Sequence, residues 1–406
     1  MSATDDGESI GQFEPLIVSE GAKTRTKLNE LTLSLIEMSL AFSASLPGAI
    51  AEAFADIVRS VECYCSNLIE GHQIDPLDID RSMRGEFSPD ARIRDLQLEA
   101  CAHIATQKWI DDEKVLAAGF SVGVVHEIHR RFCERLPPAF LVIGPSEEGR
   151  KIVLEPGAIR TERVQVGRHV AISPGAVPRF LVRMEQAYKI RGPAEAILAA
   201  ACCHHRLLWV HPFLDGNGRV ARLVSNAAIQ SATSTSSLWS LSRGLARTEK
   251  EYRAHLQSCD EPRRGGLDGR GTLSEGALAA FAEYFLVTCI EEVAFMTNLM
   301  DTHKLRERAR TWAQNGIRSG SMPPKSDVVV STLVGRGTVD FAEIDGLAGT
   351  SVGFKSPPVA ALIDRGIAQV ETSHSRLRLS FPVELADQLL PGVFSVNEAS
   401  RAIGDS

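Results

Sequence analysis

The stretch His211-Pro212-Phe213-Leu214-Asp215-Gly216-Asn217-Gly218-Arg219-Val220-Ala221-Arg222 decides how this chain folds. Good helix formers fill the run from Ala194 to Val210 before it, and Pro212 should end that helix because proline cannot continue one. Apolar residues recur at helical spacing after it: Val220, Leu223, Val224 and Ala227. The stretch therefore predicts a tight glycine loop between two buried helices.

The residues of this loop are typical of a phosphate site. Gly216 and Gly218 permit close backbone approach, so the amide groups from Gly216 to Gly218 can point at an anion where the second helix begins. Arg219 and Arg222 lie three residues apart and should project from one face of the first turn. Because the arginine fork matches phosphate oxygens, the loop predicts a phosphate cradle.

Two further side chains supply reactive groups. Asp215 offers a hard oxygen to Mg²⁺, which usually binds one or two carboxylates together with substrate phosphates. His211 titrates near neutral pH and can accept a hydroxyl proton. A lone Gly-x-Gly would indicate only a surface turn with His211 as its cap, but the full set indicates an active site for a phosphate ester.

The same stretch resembles the signature of the Fic family, HxFx(D/E)GNGRxxR, and meets every fixed position. The resemblance covers roughly residues 30–310. It implies a mainly α protein, a Fic-type helical bundle with a small β-hairpin flap. In the family the histidine is the general base and the acidic residue holds Mg²⁺, which implies these roles for His211 and Asp215. It also implies ATP-binding roles for Gly216, Asn217, Gly218, Arg219 and Arg222. The usual product is AMP transferred to a protein hydroxyl, with pyrophosphate leaving.

A second informative stretch is Ser66-Asn67-Leu68-Ile69-Glu70-Gly71, at the end of a helix predicted from Ala49 to Ile69. Ser66 and Glu70 share a helix face, and Gly71 is a natural residue for ending the helix. Glu70 is either a solvated charge or a carboxylate that needs a positive partner, because it opposes the helix dipole. The stretch resembles the inhibitory helix of Fic proteins, (S/T)xxxE(G/N), with Ser66, Glu70 and Gly71 at the fixed positions. That resemblance implies that Glu70 pairs with Arg222 and denies it to the γ-phosphate of ATP. We expect this pair to be bidentate.

The chain was divided by composition and pattern into six parts. These are a flexible tail (1–25), an N-terminal helical region with the inhibitory helix (26–115), the Fic core (116–315), a linker (316–325), a winged-helix-like domain (326–390) and a C-terminal tail (391–406). Two further helical stretches are expected over 78–115 and 117–136. His126 and His129 lie on the second of these, and we expect a structural role for them rather than a metal site.

A β-hairpin is predicted around Arg160 to Val170, where short alternating runs meet turn residues. Its place before the motif is similar to that of the Fic flap, which aligns the target's segment by strand addition. Tyr252 and Arg253 lie in a region that is near the adenine in Fic proteins, although this match is loose.

The C-terminal part predicts three short helices and a hairpin, over 327–334, 341–347, 359–365, 367–371 and 376–379. This order resembles a winged-helix domain. Residues 320–406 carry seven Lys and Arg against ten Asp and Glu, a net charge of minus three, which disfavours DNA binding. A protein-contact or dimerisation role is therefore the favoured interpretation.

The overall composition gives a few further indications about the class of protein. The chain has 44 Lys and Arg against 51 Asp and Glu, so nothing indicates a general nucleic-acid or membrane binder. Its eight cysteines lie in apolar, helical surroundings and predict buried thiols in a reducing compartment. No apolar run reaches membrane-spanning length, and we expect a cytoplasmic protein.

We expect an adenylyltransferase that uses ATP and Mg²⁺ to modify a Ser, Thr or Tyr hydroxyl of a target protein and that is inhibited by its own Glu70. Two alternatives remain open. One is a winged-helix DNA-binding regulator whose Fic site is silent or senses nucleotides. The other is a Fic enzyme that also removes AMP. A homodimer is possible.

Overall fold

The computed structural model describes residues 3–117, 119–145, 151–189, 192–233, 235, 237–348, 356–371 and 376–396. Helices dominate it: α1 (Arg25–Ser45), α2 (Gly48–Ile69), α3 (Pro76–Met83), α4 (Ala91–Glu113), α5 (Val122–Cys133), α6 (Val177–Ala187), α7 (Pro193–Val210), α8 (Asn217–Thr233), α9 (Leu241–Arg247), α10 (Glu249–Cys259), α11 (Glu275–Leu299), α12 (Thr302–Arg318), α13 (Ser326–Arg336), α14 (Phe341–Ala348), α15 (Pro357–Asp364) and α16 (Val383–Leu389). The strands are short: β1 (Val142–Pro145), β2 (Lys151–Val153), β3 (Gln165–Val166), β4 (His169–Val170), β5 (Thr338–Asp340), β6 (Ala368–Val370) and β7 (Arg376–Leu379).

Helices α7 and α8 form the centre of the bundle and confirm the two helices predicted around the glycine loop. Helix α7 begins with Pro193, whose fixed φ suits a first turn, and ends at His211, just before Pro212. Its apolar face and that of α8 are buried against each other, and α1 and α11 pack around them. The glycine loop is thereby held between two helices that pack against each other.

Helix α2 ends as its sequence predicts. Glu70 is its C-cap, and Gly71 follows at φ +83°, a left-handed conformation that glycine adopts without strain. The amide of His72 donates to the carbonyl of Asn67 at 2.9 Å, which closes the last turn. The helical stretch expected over 78–115 consists of two helices, because α3 ends at Met83 and Asp90 caps a new helix, α4.

Two small hairpins lie between α5 and α6. Strands β3 and β4 pair antiparallel through Gln165 with Val170 and Val166 with His169, which confirms the hairpin predicted around Arg160 to Val170. Strands β1 and β2 form a second antiparallel hairpin that the sequence did not define. We call β3–β4, with its flanks from 160 to 172, the flap.

The C-terminal part contains the expected three helices, α13, α14 and α15, and the two expected strands, β6 and β7. A third strand, β5, completes an antiparallel sheet of order β5-β7-β6. Residues 372–375, between the two strands of the expected hairpin, lie outside the described residues. The winged-helix-like designation stays a prediction.

Three segments expected to be loose are packed. In the N-terminal segment Phe13, Leu16 and Val18 are buried, and Glu8 accepts hydrogen bonds from Ser173. The tail predicted over 1–25 is therefore wrong for residues 3–24. These apolar side chains were overlooked because they are sparse in a polar stretch.

The linker and the C-terminal tail need similar corrections. Helix α12 runs to Arg318, so the first residues of the proposed linker are helical, and Met322 is buried against Gly316. At the other end Val393 and Phe394 are buried, and the guanidinium of Arg243 donates to the carbonyls of Gly392 and Val393 at 3.0 Å each. Residues 391–396 are thus part of the core.

All eight cysteines are free thiols, and all but the partly buried Cys101 are buried.

None of the helices in the described ranges is by itself long and apolar enough to cross a bilayer. Helices α1 and α2 reach that length and apolarity only when taken together, across a bend of 119°.

Candidate active site

His211 occupies the left-handed C-cap position of α7, at φ 50° and ψ 63°. For a residue other than glycine this conformation is strained, and it persists only when the surroundings enforce it. Its Nδ1 lies 3.3 Å from the carbonyl of Leu208, so a proton on Nδ1 leaves Nε2 as an acceptor. Burial, helped by the nearby charge of Arg160, lowers the pKa of His211 to about 4. The imidazole is therefore neutral at physiological pH and can take a proton.

The glycine loop is held by its own side chains. Gly216 adopts φ +79°, which an L side chain rarely tolerates, and α8 begins at the next residue. The side-chain amide of Asn217 accepts from the amide of Phe213 at 3.0 Å and donates to its carbonyl at 2.8 Å. The side chain of Asn217 thus shapes the loop, and only its backbone amide remains for the ATP-binding role expected of it.

His129 supports the loop from α5. Its ring stacks on Phe213 with centroids 3.8 Å apart, its Nε2 lies 3.2 Å from the carbonyl of Asp215, and its Nδ1 accepts from the amide of Gly157 at 2.9 Å. Burial lowers its pKa to about 4, so it stays neutral. The expected structural role of this histidine is confirmed.

Arg222 is 1% exposed and joins α8 to the end of α2. Its Nη2 donates to Oε1 of Glu70 at 2.6 Å and to the carbonyl of Ser66 at 3.0 Å, while its Nε donates to the Ser66 hydroxyl at 2.9 Å. The structure brings Ser66, Glu70 and Arg222 together as the sequence predicts. The expected bidentate grip is wrong, because the guanidinium divides its donors between Ser66 and Glu70.

The Glu70 carboxylate also lies over the start of α8. Its side chain is 30% exposed, and a Cβ added at Gly218 would collide with its Oε1. Burial alone would raise the pKa of the Glu70 carboxyl. The neighbouring charges of Arg222 and Arg219 have the larger effect, so this pKa lies below its usual value. Glu70 is therefore an anion placed at the amides of a helix N-terminus, where phosphate is also favoured.

Arg219 is 3% exposed. It forms an ion pair with the fully buried Glu99 of α4, and its Nη2 lies 3.3 Å from Oδ2 of Asp215. Glu99 also accepts from Nδ1 of His72 at 2.8 Å, just beyond the inhibitory turn. Arg219 and Arg222 thus pair with different carboxylates, and the ATP-binding roles expected of them stay a prediction.

Asp215 keeps an accessible carboxylate. Its side chain is 52% exposed, Oδ1 accepts from the amide of Gly216 at 2.6 Å, and Oδ2 faces Arg219. A half-exposed carboxylate at the mouth of an anion cradle fits Mg²⁺, which needs few protein ligands when phosphates supply the rest.

Tyr252 lies behind Arg222 instead of lining an open pocket. It is buried, its hydroxyl is 2.7 Å from Nε2 of His204, and burial raises its pKa to about 12. The hydroxyl thus has a protein partner, and the ATP-binding role expected for Tyr252 stays a prediction. The neighbouring Arg253 donates to the carbonyl of Ile69 at 2.7 Å and holds the end of α2.

Sequence reasoning missed Glu99, His72 and Arg160. Glu99 and His72 stand outside any motif, and their meeting with Arg219 depends on how α4 packs against α8. Arg160 was noted only as the first residue of the hairpin, yet it is buried and reaches the backbone of His211. An arginine at the start of an otherwise exposed hairpin was the one available signal.

Comparisons with known proteins place part of this chain beside a known family. Residues 119–229 match the model of the Fic/DOC family. Protein adenylyltransferase Fic of Drosophila ananassae is 25% identical over 225 residues, 53% of this chain and 42% of that protein. The protein of the same name in Drosophila melanogaster is 25% identical over 171 residues, 42% of this chain and 32% of that protein. The chain thus spans less than half the length of these curated relatives.

Among solved structures, Fic-1 from C. elegans superimposes with a TM-score of 0.53 at 19% identity, covering 68% of this chain and 74% of that one. At this identity the match concerns the fold, a mainly helical Fic bundle with a small β-hairpin.

Proposed function

Because the chain belongs to the Fic/DOC family, we propose that it is a protein adenylyltransferase that moves AMP from ATP to a Ser, Thr or Tyr hydroxyl of a target protein. The observation that carries the proposal is a neutral, partly buried histidine next to an anion cradle. The names of the curated relatives support the same reaction class.

In the proposed reaction the hydroxyl oxygen of the target attacks the α-phosphorus of ATP. Its proton passes to Nε2 of His211, which is free to accept it because Nδ1 faces the carbonyl of Leu208. The bond from the α-phosphorus to the oxygen that bridges it to the β-phosphate breaks, and pyrophosphate leaves. Amides at the start of α8 face the phosphates and stabilise their negative charge.

Asp215 would hold Mg²⁺ together with the phosphates of ATP. The ion, when bound, neutralises phosphate charge and helps to orient the nucleotide. The side chain of Asp215 is kept in place by the amide of Gly216 on one oxygen and by Arg219 near the other.

The inhibition is proposed to act through Glu70. Its carboxylate takes a donor of Arg222 and covers Gly218, the two groups that a γ-phosphate would need. ATP then binds with its α-phosphate out of line, or does not bind, because two anions cannot share one cradle. The Ser66 hydroxyl accepts from Nε of Arg222 and so keeps that guanidinium turned toward α2.

The proposed partner is a target protein that lays an extended segment along the flap. The exposed Val166 and Val170 on the two strands give such a segment apolar contacts. For the C-terminal part, the acidic balance supports a protein contact or dimerisation in preference to DNA binding.

The test uses Glu70→Gly, the form in which the site is open, with ATP labelled at either the α- or the γ-phosphorus. Label retained on protein from α-labelled ATP only, with release of pyrophosphate, is the expected result. Label retained from γ-labelled ATP would indicate phosphoryl transfer, and no label from either would overturn the proposal. His211→Ala in the same background is the matched control for label that arises without the base.

A further inference from the structure

Arg160 links three segments of the chain by hydrogen bonds to backbone carbonyls. Its Nε donates to the carbonyl of His211 at 2.7 Å, Nη1 to that of Glu162 at 2.9 Å, and Nη2 to that of Ile172 at 2.5 Å. Its own amide donates to the carbonyl of Pro212 at 3.0 Å. The side chain is 1% exposed, so these contacts are shielded from water.

These contacts define the base of the flap. Glu162 precedes β3 and Ile172 follows β4, so one guanidinium closes the two ends of the hairpin. The same guanidinium holds the carbonyl of the residue that carries the base. We propose that Arg160 is a positioning residue for the transfer reaction, because it fixes the flap and His211 as one unit. This inference rests on the proposed function.

The chemistry of the site explains why arginine stands here. The carbonyls of Val210 and His211 lie at the C-terminal end of α7, where the unpaired carbonyls and the helix dipole favour a cation. A planar guanidinium can reach carbonyls in several directions at once, which an ammonium on a flexible stem cannot. Among the hydrogen bonds of the described residues, those of the Arg160 guanidinium all go to backbone carbonyls. The side chain therefore holds the backbone in place.

The left-handed backbone conformation of His211 needs a stabilising contact. A left-handed φ of 50° is costly for histidine, and the Arg160 contact with its carbonyl supports this conformation. If the flap aligns the target, then the distance from the target hydroxyl to the imidazole depends on this one side chain. A misplacement of about 1 Å between reacting groups can cost on the order of a hundredfold in rate.

The experiment compares Arg160→Gln and Arg160→Lys, each in the Glu70→Gly chain, with Arg179→Gln as the control. Arg179 is also an arginine with several partners, but it binds Asp5 and the Glu8 carbonyl and does not contact the motif. Rates of labelling from α-labelled ATP, the dissociation constant of ATP by calorimetry, and thermal unfolding are measured for each.

We expect Arg160→Gln to lose roughly a hundredfold in the labelling rate while its ATP dissociation constant stays within about twofold. Arg160→Lys should recover part of the rate, and the control should match its parent. A second readout is the pH dependence of the labelling rate, in particular its fall at low pH, which we call the acid limb. His211 is faced by Arg160, His169 and Asp215, so loss of the Arg160 charge should move that limb to higher pH.

Three results would contradict the inference: an Arg160→Gln rate within about twofold of the parent, an equal loss of ATP binding and rate, or an unshifted acid limb. If both variants fail to fold, hydrogen exchange of the Arg160 Nε–H in the intact chain decides, with slow exchange expected and exchange at the solvent rate contradictory. A Glu70→Gly parent that does not label protein would instead overturn the proposed function, before Arg160 is considered.

Discussion

Nη2 of Arg222 lies 2.6 Å from Oε1 of Glu70, although the two residues belong to helices α8 and α2. Arg222 ends the motif that holds the proposed ATP site, and Glu70 ends the helix proposed to inhibit it. A single ion pair therefore connects the two. Because the carboxylate also covers Gly218, removing it should free both an arginine and a set of helix amides.

Ser66 should contribute a smaller share of the inhibition. Its buried hydroxyl accepts from Nε of Arg222, so Ser66→Ala leaves that donor with one partner fewer. A buried unsatisfied donor costs about 1–3 kcal/mol, which loosens Arg222 without removing Glu70. We expect Ser66→Ala to label protein faster than wild type and more slowly than Glu70→Gly. Ser60→Ala, which loses only a bond to Asp56 of its own helix, is the control. Equal labelling by Ser66→Ala and wild type would contradict this role.

His211→Ala should abolish labelling while ATP binding stays close to that of the parent, because the imidazole meets the incoming hydroxyl and not the nucleotide. General bases typically contribute about 10²–10⁴-fold. Labelling rates and calorimetric ATP binding in the Glu70→Gly background check this, with the exposed His303→Ala as control. Full labelling by His211→Ala would show that another group takes the proton.

Asp215→Ala should remove the dependence on Mg²⁺. Calorimetric titration of ATP into the Glu70→Gly chain, with and without Mg²⁺, is expected to show tighter binding with the ion only when Asp215 is present. Asp112→Ala, which removes an exposed carboxylate from α4, should behave like its parent. An unchanged Mg²⁺ effect in Asp215→Ala would mean that the ion is held elsewhere.

The pH dependence follows from the state of His211. Burial lowers its pKa to about 4, and a base works in its neutral form, which predominates above its pKa. The kcat/KM of Glu70→Gly should therefore be level between about pH 6 and about pH 8 and fall only as the pH approaches about 4. Circular dichroism at each pH shows whether the chain stays folded. An acid limb near the ordinary value of 6.5 would show that the pKa of His211 is not lowered as described.

The motif and the inhibitory turn could be predicted because each is a local pattern. The spacing of Ser66 and Glu70 places both on one helix face, and the order of Gly216 to Arg222 determines a loop and a first turn. A carboxylate at a helix C-terminus calls for a cation, and the resemblance to the Fic inhibitory helix implied that this cation is Arg222.

The partners of Arg219 and Arg160 could not be predicted in the same way. Glu99 lies 120 residues from Arg219 in a helix with no distinguishing pattern, and only the packing of α4 against α8 brings them together. Arg160 donates to backbone carbonyls, which every residue has. No side-chain pattern in the sequence therefore indicates which residues it contacts. The packed segments 3–24 and 391–396 were missed because a few buried apolar residues in short polar stretches resemble ordinary tails.

The central claim is that Glu70 silences a working adenylyltransferase by occupying Arg222. Wild type, Glu70→Gly and the double variant Glu70→Gly/Arg222→Ala are incubated with ATP labelled at the α-phosphorus, and label on protein is measured. Glu113→Gly, which changes an exposed glutamate at the end of α4, controls for glycine at a helix end. We expect Glu70→Gly to exceed wild type on the order of tenfold or more, since about 1.4 kcal/mol of lost competition corresponds to a factor of ten. The double variant should fall back toward wild type because the same arginine serves ATP. Labelling by Glu70→Gly that is no faster than wild type would contradict the account.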